Sequence, residues 1–428
     1  MYETKDHVSI RITEKLQELP DSSYKPSIFR VSDDLRRVDE KLYEPKVVAV
    51  GHFHHSEDRI QKMEQHKFRY LKHLLKRRGE SSVDEDVMAI RSLEEKARGC
   101  YAEPIYLNRD NFVHMLLLDG IFIIELIRKY LFYEFREKDD MIFQHEQVYS
   151  QLRHDLMLVE NQVPFFVLEK LFNMTKSESG DDNILYLIQG AFADYISPWP
   201  DASKITEVSM ENIDHLLGLV YRIWCSSFAK MTSNRPFEAA IDCTTKLQEA
   251  GIEFFLNYTA CNFLDIEFNQ GVMKIPRFDV SDATESVFSN LIAYEHFSTN
   301  HTKYATDYAF FLHCLINSSS DVEILRQRGI VTNLLGDDEM VYRMFNRLGR
   351  NLLISSDFHY NDVFYKVNVH CRRPWNIWKA HLRHNYFNDL RQNYFESPWK
   401  YVSFSAALML LLFTLTQTVF SVLSYTKS

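Results

Sequence analysis

Glycine is scarce in this chain, with 12 in 428 residues, where a share of about 7% is usual. Few glycines leave few backbone loops able to wrap a phosphate. The sequence carries no Walker loop, no dinucleotide fingerprint and no GxSxG elbow. Cysteine is sparse as well: there are six, and no two stand at CxxC spacing. That predicts reduced, mostly buried thiols rather than a disulfide framework. HExxH is missing. Excess positive charge is missing too. The net charge of −10 has the wrong sign for wrapping nucleic acid, and no nucleic-acid partner is expected. The opening stretch, "MYETKDHVSIRITEKLQELP", lacks the apolar centre of a signal peptide.

Aromatic residues are plentiful: 31 Phe and 23 Tyr within an apolar fraction of 46%. With glycine low, that composition predicts a mainly α, multi-helix body packed on aromatic side chains. A lead segment over 1–24 precedes a helical domain over 25–400, which has room for two lobes meeting near 175–205. In "EDRIQKMEQHKFRYLKHLLKRRG", Ile60, Met63, Leu71, Leu74 and Leu75 line one side of a helix and Arg59, Lys62, Arg69, Lys72 and Lys76 the other, with Gly79 as its stop. This basic face is either simply solvated or in contact with anionic headgroups. A small β-hairpin is expected at about 263–276, where "LDIEFNQGVMKIPRF" alternates apolar and acidic residues around Asn269-Gln270-Gly271. "IEFFLNY" offers a third strand.

The most apolar internal stretch, 108–135, holds Asp119 at its middle, followed by Glu125 and Arg128. A central acid costs on the order of 2.5–3.5 kcal/mol in a membrane span, so this segment reads as the central core helix. Asp119 is then buried and needs a partner. In "DLMLVENQVPFFVLEKLF", a helix over 146–162 cannot continue through Pro164, which suits the first turn of the next helix instead. Glu160, Asn161 and Gln162 fall at the joint, where backbone groups released by the break need partners. The expected role is a structural polar joint, with Glu160 accepting from the new helix's N-terminus. A ligand or partner contact is the other reading.

From Tyr401 to Thr426 there is no charged residue. A helix of that length reaches across a bilayer core of about 30 Å, and Trp399, Lys400 and Tyr401 would stand at the headgroup layer. The expectation is one C-terminal transmembrane helix over 401–426 acting as a single-pass tail anchor, with membrane lipid as its partner. Arg383, Arg391 and Lys400 precede it and only Lys427 follows, which places the large body in the cytosol by the positive-inside rule.

Candidate chemistry is thin. His52, His54 and His55 could offer imidazoles to a metal, or form a polar loop with one buried ring. Asp119, Glu125 and Glu160 are the acids an enzyme would use, since desolvation raises a carboxyl pKa; burial is equally expected of structural carboxylates. No cofactor is implied.

The blocks "GHFHHSEDRIQKMEQHKFRYL", "ARGCYAEPIYLNRDNFVHMLLLDGIFIIELIRKY", "DLMLVENQVPFFVLEKLF", "FLDIEFNQGVMKIPRF" and "NLIAYEH", with the apolar tail after them, come in an order that resembles the plant family called domain of unknown function 247. The resemblance runs over nearly the whole chain. It departs at His52 and Phe53, where the family's usual Gly-Pro-Tyr-His-His block has Pro and Tyr. It implies a plant protein of helical fold with a C-terminal membrane segment and no assigned enzymatic activity. Some grass members are linked to pollen self-incompatibility. The function expected is therefore protein recognition with an unknown protein partner; the alternative is an enzyme of unfamiliar type using buried acids such as Asp119 and Glu160.

Overall fold

The computed structural model describes residues 6–18, 26–55, 62–176, 183–193, 195, 209–225, 235–260, 263–297, 303–350, 352, 354, 357–374 and 398–427. The body is mainly helical, with two small sheets. Its centre is the helix Arg109–Leu131, opened by Asn108, whose side chain accepts the N–H of Asn111. From Phe112 to Lys129 all but His114 are buried. An all-round apolar helix belongs in an interior, so the neighbours Lys62–Arg78, Asp84–Arg91, Phe165–Met174 and Ile184–Phe192 pack around it. The helices Thr284–Phe297, Tyr304–Leu315, Ser319–Gln327 and Asp338–Leu348 form a second group, and the helix Leu216–Cys225 touches both groups. Buried apolar side chains run as one cluster from Ile28 to Val367. Phe263, Phe278, Phe288 and Tyr308 meet within it at ring distances of 5.0–6.3 Å.

The hairpin joins β2 (Glu267–Asn269) to β3 (Val272–Ile275), pairing Phe268 with Met273. Gln270 and Gly271 both take positive φ, 49° and 87°, the backbone of a tight hairpin turn whose twist suits the strands. The stretch "IEFFLNY" supplies β1 (Glu253–Leu256), parallel to β3 in the order β1-β3-β2. A two-stranded parallel pair, β4 (Phe278–Val280) with β5 (Val331–Asn333), was not legible in the sequence because each strand has only three residues.

The helix expected over 146–162 is shorter than its pattern suggests: it covers Glu146–Leu156, and the acid–amide block follows it before Pro164 caps the helix Phe165–Met174. The lobe joint expected near 175–205 falls largely outside the described residues.

The membrane expectation is corrected. A helix does form over Pro398–Lys427, but among the described residues no helix is long and apolar enough to cross a membrane. The transmembrane segment at 401–426, lipid as its partner, the tail anchor and the single-pass location with a cytosolic body go with that finding. The described side chains there are Ser405–Ala407 and Met409–Phe420, all exposed, and Thr414, Thr416, Gln417 and Thr418 interrupt the apolar run after Phe413. That run falls short of the roughly 20 predominantly apolar residues a span requires. Absence of charge over 401–426 is not the same as sustained apolarity. The side chains of Trp399, Lys400 and Tyr401, expected at a headgroup layer, lie outside the described residues.

Candidate functional site

The acid–amide block lies at the centre of a buried polar network that fastens an N-terminal strap, residues 26–55, to the helical body. Over residues 46–51 the polar contacts reach the strap's backbone. Asp155, fully buried, accepts the N–H groups of Lys46, Val47 and Val48 at 2.9, 2.6 and 2.9 Å. Asn161 accepts from the Val50 N–H at 2.6 Å and returns its own amide protons to the carbonyls of Val48 and Asp155, at 3.0 and 2.9 Å. Asp119 takes the Gly51 N–H at 2.8 Å, and Lys67 Nζ donates to the Ala49 carbonyl at 2.7 Å. Asn290, from the helix Thr284–Phe297, accepts from Val159 N–H and donates to the Leu42 carbonyl. The segment 46–51 is thus held through its backbone at every residue.

Gly51 is required where it stands. Its φ is +72°, and an added Cβ would lie 2.3 Å from the Gln162 carbonyl oxygen. Gln162 is spent on the joint itself: its side-chain amide donates to the carbonyls of Leu156 and Leu158, both at 2.8 Å, and its oxygen accepts from Leu217 N–H at 3.2 Å. Pro164 has no N–H to place and pairs as an isolated bridge with His215.

Glu160 differs from the expectation. Instead of accepting from the helix it precedes, its fully buried carboxylate reaches back to the strap. Val31 N–H lies at 2.6 Å and the Arg36 guanidinium at 2.7 and 2.6 Å from its two oxygens. His54 Nε2 stands 3.3 Å away. Burial would raise this carboxyl, but His54, the Val31 amide and Arg36 outweigh it and hold it below the ordinary range. Lys67 and Asp119 form a buried pair at 2.6 Å, with Glu64 at 2.5 Å from the same ammonium. Burial works against the Lys67 charge; Asp119 and Glu64 overcome it and keep its pKa above the ordinary value. Asp119 is raised by burial, with Lys67 opposing. Glu125 takes Arg77 in a two-point pair at 2.7 Å each and Arg128 at 3.0 Å.

His52, His54 and His55 are not gathered around a metal position: among the described residues no group of three or more His, Cys, Asp or Glu side chains could hold one. His52 packs its ring against Phe53 and Tyr101, at 4.8 and 5.6 Å, and His54 is turned to Glu160. Cys100, Cys225, Cys243, Cys314 and Cys371 are free thiols.

Sequence reasoning missed Asp155, Lys67, Arg36 and Asn290. Lys67 did carry a signal, because it falls on the inner side of its helix with Met63, Tyr70, Leu71 and Leu74. A second polar centre was missed as well. Glu295, buried, accepts from Tyr221 Oη at 2.6 Å, Ala305 N–H at 2.7 Å, and Thr306 N–H and Oγ1 at 2.8 and 2.6 Å. Asp307, which follows Thr306 on the helix Tyr304–Leu315, accepts the His359 N–H at 2.8 Å through Oδ2, while Oδ1 has no partner among the described residues. Burial pushes the Asp307 carboxyl up to about 7, with the His359 amide opposing.

The strap and its polar lock fall inside one family. The model of DUF247, a plant protein of unknown function, matches residues 28–413. The chain belongs to this family. A UPF0481 protein of Arabidopsis thaliana is 29% identical over 425 residues, covering 93% of this chain and 86% of that protein. A putative UPF0481 protein of the same plant is 22% identical over 480 residues, covering 90% and 88%. No solved structure matches. The DUF247 match begins at Ile28, which is inside the strap, and it includes every residue of the lock.

Proposed function

We propose that this DUF247 chain is a recognition protein that binds another protein, and that its embedded acids are structural. The observation that carries this reading is the occupancy of those acids. Asp119 and Glu160 are each enclosed by a cation and a backbone N–H of the same chain, and Glu125 by the two arginines Arg77 and Arg128. A general acid or base needs a face open to substrate within hydrogen-bond reach, and these carboxylates spend theirs on the fold. Large aromatic side chains, by contrast, stand in solvent: Tyr106 is 92% exposed and Tyr258 88%. Exposed tyrosines are favoured anchors of protein interfaces.

Proximity labelling in plant cells tests the reading. Neighbours of the wild-type chain are compared with those of Tyr106→Ala and Tyr258→Ala, after both variants are shown to melt as the wild type does. Saturable protein neighbours that weaken in a variant support recognition. Turnover of a small molecule that vanishes in a folded Glu160→Gln variant would overturn it.

A further inference from the structure

The helix Lys62–Arg78 splits its cations between two tasks. Lys67 and Arg77 turn inward to Asp119 and Glu125, Arg78 bonds Glu80 and Asp86, and His73 pairs with Glu137. Lys62, Arg69, Lys72 and Lys76 are exposed and make no ion pair or hydrogen bond among the described residues. At 100° per residue these four, with Gln65, fall within an arc of about 80°, and the stripe is about 21 Å long. Phe68 flanks the stripe, half exposed, its ring 5.6 Å from that of His114 on the central helix. The acid nearest in sequence, Glu64, is committed to Lys67.

Four aligned, unpartnered cations are conspicuous on a chain of net charge −10. Lys67, Arg77 and Arg78 are neutralised by the fold, and the remaining four cations form a local positive strip on a negative molecule. Such a strip steers and orients an oppositely charged partner while the rest of the surface repels it from other approaches. We infer that this stripe of Lys62, Arg69, Lys72 and Lys76, with Phe68 at its edge, is a docking surface for an acidic peptide segment of a partner protein. The inference rests on the recognition reading and names a surface for it. A strip one helix wide matches the carboxylates along one face of an acidic helix, and Phe68 supplies the apolar anchor that a purely ionic contact lacks. A nucleic acid would meet the opposing net charge over most of its length.

The test uses the full chain with a synthetic amphipathic peptide of about four helical turns, bearing Glu at helical spacing beside one Leu row. Controls are the same peptide with Gln for Glu, the same with Lys for Glu, single-stranded RNA, and vesicles of phosphatidylcholine with phosphatidylserine. The expected result is binding of the Glu peptide that weakens with salt, falls about tenfold or more in K62E/R69E/K72E/K76E, and weakens several-fold in Phe68→Ala. The charge-reversed protein should instead bind the Lys peptide. Should it fail to fold, the corresponding four Gln substitutions take its place, and loss of Glu-peptide binding is again expected. Equal binding of Glu and Gln peptides, no binding of the Glu peptide, or preference for RNA or vesicles would overturn the inference. Cellular neighbours kept by the charge-reversed chain would remove the stripe and leave the recognition reading standing.

Discussion

Asn161 accepts the N–H of Val50 at 2.6 Å across 111 residues of sequence. With its amide protons on the carbonyls of Val48 and Asp155, this one side chain ties the strap at Val48 and Val50 to its own helix end. Asn161→Ala takes the partner from the buried Val50 N–H and the Val48 carbonyl, and leaves the Asp155 carbonyl with the Leu158 N–H. The expected loss is about 2–4 kcal/mol of unfolding free energy, measured by urea denaturation. Asn161→Asp should cost at least as much, because an oxygen would then face the two carbonyls.

Lys67 and Asp119 were placed by the fold where neither can be removed alone. Lys67→Met leaves the Asp119 carboxylate buried with the Gly51 N–H as its remaining hydrogen-bond donor among the described residues. Breaking such a pair costs about 3–5 kcal/mol, whereas replacing both partners with apolar residues costs far less. A double-mutant cycle with Asp119→Leu should therefore show strong positive coupling in melting experiments.

Gly51→Ala should be among the most damaging single substitutions. The added methyl would meet the Gln162 carbonyl at 2.3 Å on a backbone with φ +72°, and neither atom belongs to a flexible side chain. Loss of soluble, cooperatively melting protein is expected, with Gly79→Ala, which meets nothing within 4 Å at φ +69°, as the milder comparison.

Asp307 gives the pH dependence a definite sign. Its folded pKa, about 7, lies above the ordinary 3.8, so the folded state holds a proton the unfolded state releases. The stability it contributes is complete below about pH 4 and is lost as pH rises through about 7, on the order of 4 kcal/mol by linkage. Asp307→Asn cannot lose that proton. Melting temperatures of the wild type should fall more steeply than those of Asp307→Asn between pH 5 and pH 8.

The sequence revealed what is local. The break before Pro164, the turn at Gln270-Gly271 and the burial of a central helix all follow from residues within a few positions of one another. Glu160, Asn161 and Gln162 were legible as a joint in this way, whereas Asn290 carries no local sign of its task. What the sequence could not show was distance. Nothing in periodicity indicates that Glu160 bonds Val31 129 residues earlier, or that Leu42 rests on Asn290 248 residues later. The same locality misled at the C-terminus, where the uncharged run over 401–426 also carries Thr414, Thr416, Gln417 and Thr418.

Hydrogen exchange at the strap tests the central claim, that the embedded polar residues serve to hold this backbone. The amides of Val47, Val48, Val50 and Gly51 should exchange slowly in the wild-type chain, near the rate set by global unfolding. In Asn161→Ala they should open selectively, ahead of the amides of the central helix. Rapid exchange of those four amides in the wild type, with the helices protected, would contradict the account.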